Sequence, residues 1–170
     1  MDLADLQPVL DRLRKRPDEP LRPDRVYASE LRASVDRLRT ATPGGWLASL
    51  LHLWNDDLDR SHDHSQHLHD PLGSHLHGVM HRREGDFSNA RFWFRKCADH
   101  PTLAHTAARL EHAPASVRTG RFDGLLRRSV LNAAEFTDAC EREPEAAELR
   151  WIQRQEFEAM LECILESSAT

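Results

Sequence analysis

The sequence predicts an all-α fold, a single domain of about seven to eight helices in antiparallel hairpins. Three observations predict it. Apolar residues recur three and four positions apart, with no sustained alternation of period two. Two cap-and-proline pairs, Thr42-Pro43 and Asp70-Pro71, mark helix starts. A chain of 170 residues also suits one hydrophobic core.

Taken in order, an amphipathic segment through Leu13 is ended by Pro17, Pro20 and Pro23, so residues 1–23 read as a loosely attached helix and linker. Asp24 offers a cap for a second helix with Val26, Leu31, Val35 and Leu38 on its apolar side. Thr42-Pro43 then starts a third, expected over residues 45–69. Asp70-Pro71 starts a fourth, which Gly85 ends. Asp86 caps a fifth through Phe87, Ala90, Phe94 and Cys97, stopped near Pro101. A sixth covers residues 103–111. A loop at 114–120 follows, then helices near 122–140 and 144–165. The last of these presents Leu149, Ile152, Met160, Cys163 and Ile164 on one face.

Composition excludes several function classes. A net charge of −5 gives no basic field for nucleic acid or an anionic membrane. Apolar runs are too short for a membrane span. The acidic start Met1-Asp2-Leu3-Ala4-Asp5 lacks a signal pattern, which makes a cytoplasmic location the expectation. Cys97, Cys140 and Cys163 are odd in number and occupy apolar positions, as reduced core thiols do. Cys97 is a poor nucleophile candidate, with only His100 near it in sequence.

The chemistry concentrates between residues 62 and 84. Seven of the eleven histidines lie there: His62, His64, His67, His69, His75, His77 and His81. On the third helix the stripe of Leu47, Leu50, Leu51, Trp54 and Leu58 continues into Ser61, His62, Ser65, Leu68 and His69. A core stripe that turns polar needs partners, because an unpaired buried polar group costs roughly 1–3 kcal/mol. On the fourth helix His77, His81 and Glu84 share a face at i, i+4 and i+7. Two histidines four apart present two nitrogens to one ion. The expected site is therefore a divalent metal, zinc best matched, held by His62, His77 and His81. Glu84 or Asp59 would be the fourth ligand or a general base. Three nitrogens leave a position open for water, the arrangement of hydrolytic zinc sites. Nickel or iron would also accept such a set.

Arg82 and Arg83 admit two readings: a clamp for an anionic small molecule, since guanidinium forks grip carboxylate or phosphate, or, with Glu84 following, an internal ion-pair knot holding helices four and five. Asn89 and Trp93, off the core stripe of the fifth helix, would line the pocket. The competing account of the histidines is structural. In it His62, His77 and His81 hydrogen-bond across a helix interface, and His64, His67 and His75 face solvent.

Gly78, Ala90, Phe94 and Cys97 fall at the glycine, alanine, aromatic and small-residue spacings of one tetratricopeptide-type hairpin. This register pairs helices four and five and turns His77 and His81 toward helix five. It also supports a rival function, a tetratricopeptide-like module that docks a protein partner while the histidines build its scaffold.

A longer pattern carries a resemblance. Gly73-Ser74, His77-Gly78-Val79-Met80-His81-Arg82-Arg83-Glu84, Asp86, Asn89-Ala90, Trp93-Phe94 and His100-Pro101 resemble an uncharacterised family of small helical proteins from bacteria and fungi. Leu53-Trp54-Asn55-Asp56-Asp57-Leu58-Asp59, Ser61-His62 and Glu156-Phe157 belong to the same pattern. The similarity is clearest over residues 52–101. It implies a helical fold and assigns no activity. The chain departs from the pattern at His75-Leu76, where an aromatic residue usually precedes the His-Gly pair.

Overall fold

The computed structural model describes residues 4–97, 100–115, 117 and 124–168. Among them the chain is all-α, with nine α-helices and one two-stranded hairpin. Helix α1 (Leu6–Arg14) buries Leu6, Val9, Leu10 and Leu13. The N-terminal segment is packed rather than loose: Arg14 forks onto Glu158 at 2.6 and 2.8 Å, and Leu21 lies in the core. The second helix starts later than an Asp24 cap implies. A 3-10 turn (Ser29–Leu31) leads into α2 (Arg32–Arg37), and a second turn (Leu38–Thr40) follows it.

The Thr42 hydroxyl accepts from the Leu47 amide at 3.1 Å, but a 3-10 turn (Pro43–Gly45) intervenes and Gly45, not Thr42, is the residue before the next helix. Helix α3 (Trp46–Trp54) is shorter than the expected 45–69. It breaks at Asn55–Asp56–Asp57, and α4 (Leu58–Ser65) begins afresh. Asp56 takes φ +62°, a left-handed conformation that Asp and Asn tolerate better than most residues. The break is held by its neighbours. Tyr27 and Ala28 donate to Asn55, whose side-chain amide returns a bond to the Ala28 carbonyl. The Asp56 carboxylate meanwhile takes Arg16 and Arg83 at 2.5 and 2.6 Å. Helix α4 packs back along α3, where the Ser49 hydroxyl donates to the Ser61 carbonyl at 3.2 Å.

Helices α5 (Pro71–Glu84) and α6 (Phe87–Phe94) form the expected hairpin. Asp70 and Asp86 accept from the amides of Gly73 and Asn89, capping each start. Between them Gly85 adopts φ +93°, its amide and that of Asp86 closing onto the carbonyls of His81 and Arg82. The two helices touch closely because Gly78 has no side chain in the way of the Phe94 ring.

Helix α7 (Pro101–Glu111) follows. The helix expected over 122–140 is partly replaced by a hairpin of β1 (Leu126–Arg127) and β2 (Val130–Leu131), paired Leu126 to Leu131 and Arg127 to Val130. Phe122 lies outside the described residues. Helix α8 (Ala133–Arg142) begins only after Asn132, which caps it through the Glu135 amide. The long α9 (Ala147–Ser168) closes the fold against α3 and α7, burying Leu149, Ile152, Phe157, Met160 and Ile164. All three cysteines are free and buried. Burial pushes the Cys97 and Cys140 thiols up to about 12. Among the described residues no helix is long and apolar enough to cross a membrane.

Candidate functional site

The return of α4 along α3 brings His62 over the α5–α6 hairpin, where His77 and His81 face α6. One ring nitrogen from each of His62, His77 and His81 lies within 4.8 Å of the others. Ring centroids are 5.0 Å apart for His62 and His77, 5.7 Å for His62 and His81, and 4.6 Å for His77 and His81. Among the described residues no hydrogen bond joins the three rings to one another. Two of the rings do bond across helix interfaces, His77 to the Ser65 backbone and His81 to the Asn89 side chain, as the structural account expects.

Each ring is held differently. His77 is 4% exposed and stacked on Trp93, centroids 4.2 Å apart. Burial, then the neighbouring His81 and His62, push its pKa down to about 4, so it is neutral near pH 7. Its Nδ1 is buried without a hydrogen-bond partner among the described residues. His81 sits with Nδ1 at 2.5 Å from the Glu84 carboxylate and Nε2 at 2.9 Å from the Asn89 amide. A carboxylate on Nδ1 fixes the proton there and leaves Nε2 as the electron-pair donor. His62 is half-buried and forms the solvent side of the cluster.

Of the other expected site residues, Asn89 and Trp93 do line the cluster. Glu84 touches it from outside, through His81. Asp59 is exposed and belongs to none of the potential ligand groups among the described residues.

Arg82 and Arg83 correct the anion-clamp expectation. Each is 1% exposed and already paired inside the core. Arg82 forks onto Glu156 of α9 and lies over the Phe136 ring at 4.3 Å. Arg83 binds Asp56 and the carbonyls of Leu53 and Pro20. They form an ion-pair knot instead, but it ties α5 to α9 and to the α3–α4 break rather than holding the α5–α6 pair. His75, expected at the surface if the histidines only build scaffold, is fully buried and bonds Glu156 at 3.0 Å. Burial alone would raise the Glu156 carboxyl. The charge of Arg82 and the His75 hydrogen bond outweigh it and bring the pKa to about 2.

Two further groups could hold an ion by distance. His81, Glu84 and Asp86 converge, but Asp86 is engaged as the α6 cap. Asp36, His52 and His64 form a second cluster, with His52 stacked on His64 at 5.5 Å and 3.2 Å from Asp36. There Arg60 already neutralises Asp36 and Arg32 pairs with nearby Asp57, so a cation would meet two guanidinium charges. Its one sequence signal was His52 itself, a lone imidazole inside the apolar run Leu50-Leu51-His52-Leu53.

Comparison with protein-family models, curated proteins and solved structures gives no match to this chain.

Proposed function

We propose that the protein binds a divalent metal ion through His62, His77 and His81, zinc being the best-suited ion. The observation that carries this reading is His77: a buried, neutral imidazole whose Nδ1 has no partner in the described fold, set between two other imidazoles. An ion supplies the missing partner. Modest ring rotations would bring three nitrogens to the ~2.0–2.1 Å of zinc–nitrogen bonds.

In this reading Glu84 acts as a positioning carboxylate on His81 rather than as the fourth ligand, which its 2.5 Å contact with Nδ1 supports. Asn89, now on the His81 lone pair, becomes a polar group at the rim once that nitrogen binds an ion. Three nitrogens leave a position open to water or substrate, and hydrolysis is the reaction class such a set suits.

Zinc titration of the chelator-treated full chain tests the proposal. Expected are one ion per chain and a higher melting temperature, with about 2.7 kcal/mol gained when free zinc reaches a hundredfold over Kd. H62A and H81A should lose both effects. Absence of stoichiometric uptake, or an H77L protein that is more stable and still takes up zinc like the parent, overturns it.

The protein-interaction reading has one observation behind it: Phe92 is 44% exposed, beside Arg95 and Lys96. A single ring is a small patch, and isolated exposed apolar residues are ordinary on protein surfaces.

A further inference from the structure

We infer that the cleft between α6, α7 and the β1–β2 hairpin is a binding site for a small amphiphilic anion, an oxyanion head on a hydrocarbon body. The cleft encloses about 660 Å³, within the ~300–1,000 Å³ usual for small-molecule sites. It is separate from the histidine cluster. Arg91, Phe94 and Arg95 face the cleft, whereas Asn89 and Trp93 face the histidines; at about 100° per residue these are opposite sides of α6.

Its lining divides into two chemistries. Phe94, Leu103, Val130 and Leu131 supply an apolar wall, suited to a hydrocarbon body. Arg91, Arg95, Arg127 and Arg128 supply the charge, and among the described residues no acidic one lines the cleft with them. Arg91 is already paired, with Asp138 at 2.6 Å and Glu141 at 3.1 Å. Arg95, Arg127 and Arg128 have no carboxylate partner among the described residues and are exposed. In a chain of net charge −5, such a grouping is a local reversal of sign. Guanidinium forks recognise carboxylate and phosphate alike. The starts of α7 and α8, at Pro101 and Ala133, also open onto the cleft and add their partial positive charge.

The hairpin tip supports the same reading. Arg128 and Ser129 hold φ of +54° and +61° in the two-residue turn. Such turns favour Asn-Gly or Gly because both central residues are left-handed. The arginine that stands there, against its backbone preference, is one of the residues lining the cleft. Strained non-glycine positions concentrate at functional sites.

Calorimetric titration of the full chain with decanoate, decyl phosphate and decanol, each below its micelle concentration, tests the inference. Expected is saturable one-to-one binding of the two anions, with decanol at least tenfold weaker. The stronger of the two anions identifies the head group. R127A should weaken anion binding at least tenfold. R128G carries the sharper test, because it relieves the turn while removing the charge: its melting temperature should rise as anion affinity falls. A merely structural Arg128 would leave affinity unchanged. H77A should bind the anions like the parent, which separates this site from the proposed metal site. Equal affinity for decanol and decanoate, absence of saturable binding, or unchanged affinity in both R127A and R128G would overturn the inference.

Discussion

His77 and Trp93 lie face to face, ring centroids 4.2 Å apart and planes within 12°. His81 also stacks on His77, at 4.6 Å, and the Lys96 ammonium sits 4.3 Å from the Trp93 ring centre. The orientation of the central imidazole thus depends on a flat surface supplied by α6. W93A removes that surface and should cost about 2 kcal/mol, below the ~3–5 kcal/mol of a fully buried aromatic. W93F keeps a ring under His77 and should cost less than about 1 kcal/mol. Urea unfolding measures both; equal losses would mean that the stack does not hold His77.

Arg82, Glu156 and His75 form a buried triad joining α5 to α9. Removing one charge leaves the other buried and unpaired, so E156L should destabilise by about 3–5 kcal/mol. R82M together with E156L should recover most of that loss, because two apolar side chains replace two desolvated ions. A double-mutant cycle on denaturation midpoints reads the coupling. Additive losses would show that the pair does not act as a unit.

The α5–α6 hairpin was legible because its signals are local: Asp70-Pro71 at one end, Gly85-Asp86 at the turn, and Gly78 facing Phe94 in the tetratricopeptide-like register. From that hairpin the shared face of His77 and His81 followed directly. The break at Asn55–Asp57 was not legible. It contains neither Gly nor Pro, and the apolar spacing of α3 continues into Ser61 and Ser65 as though one helix ran through. His62 reaches the cluster because α4 folds back, whereas a continuous helix would have carried it onward at about 1.5 Å per residue. The partners of Arg82 and Arg83 were hidden for another reason. Glu156 is contributed by the last helix, and only packing of α9 against the hairpin reveals the pair. The β1–β2 hairpin was missed because two-residue strands are too short to show a period of two.

Acid should destabilise the protein in two stages. His100 caps α7 by accepting from the Thr102 amide at Nδ1, which requires the neutral ring. Burial, then the neighbouring His75, push its pKa down to about 4 from the ordinary 6.5. A depressed folded-state pKa means that the contribution is complete above pH 6.5 and is lost as pH falls through 4. The Glu156 carboxyl, depressed to about 2 from 4.5, adds stability above pH 4.5 that is lost as pH falls toward 2. Both signs agree, so the urea midpoint should fall steadily from pH 6.5 downward. His77, also held near 4, acts over the same window, so H100N, which keeps a side-chain acceptor at the cap, should shrink the upper stage and leave the lower one unchanged. A midpoint constant between pH 6.5 and 4 would contradict the assignment of His100.

Gly78 sets the distance between α5 and α6. A Cβ built there meets Phe94 Cε1 at 2.8 Å and Cδ1 at 2.9 Å, closer than carbon atoms pack. Phe94 is 5% exposed, and its ring also meets His75 edge-on at 5.8 Å, so it has little room to turn away. G78A gains about 1 kcal/mol of helix propensity but pushes the ring into neighbours, at a cost of roughly 1–3 kcal/mol. The net expectation is a protein less stable by about 1 kcal/mol, with α6 displaced from α5. Displacement also draws Trp93 and Asn89 from His77 and His81, so zinc uptake should weaken together with stability. F94L in the G78A background makes space for the methyl group and should restore both relative to G78A. Stability and uptake both unaltered in G78A would show that the interhelical distance does not depend on this glycine.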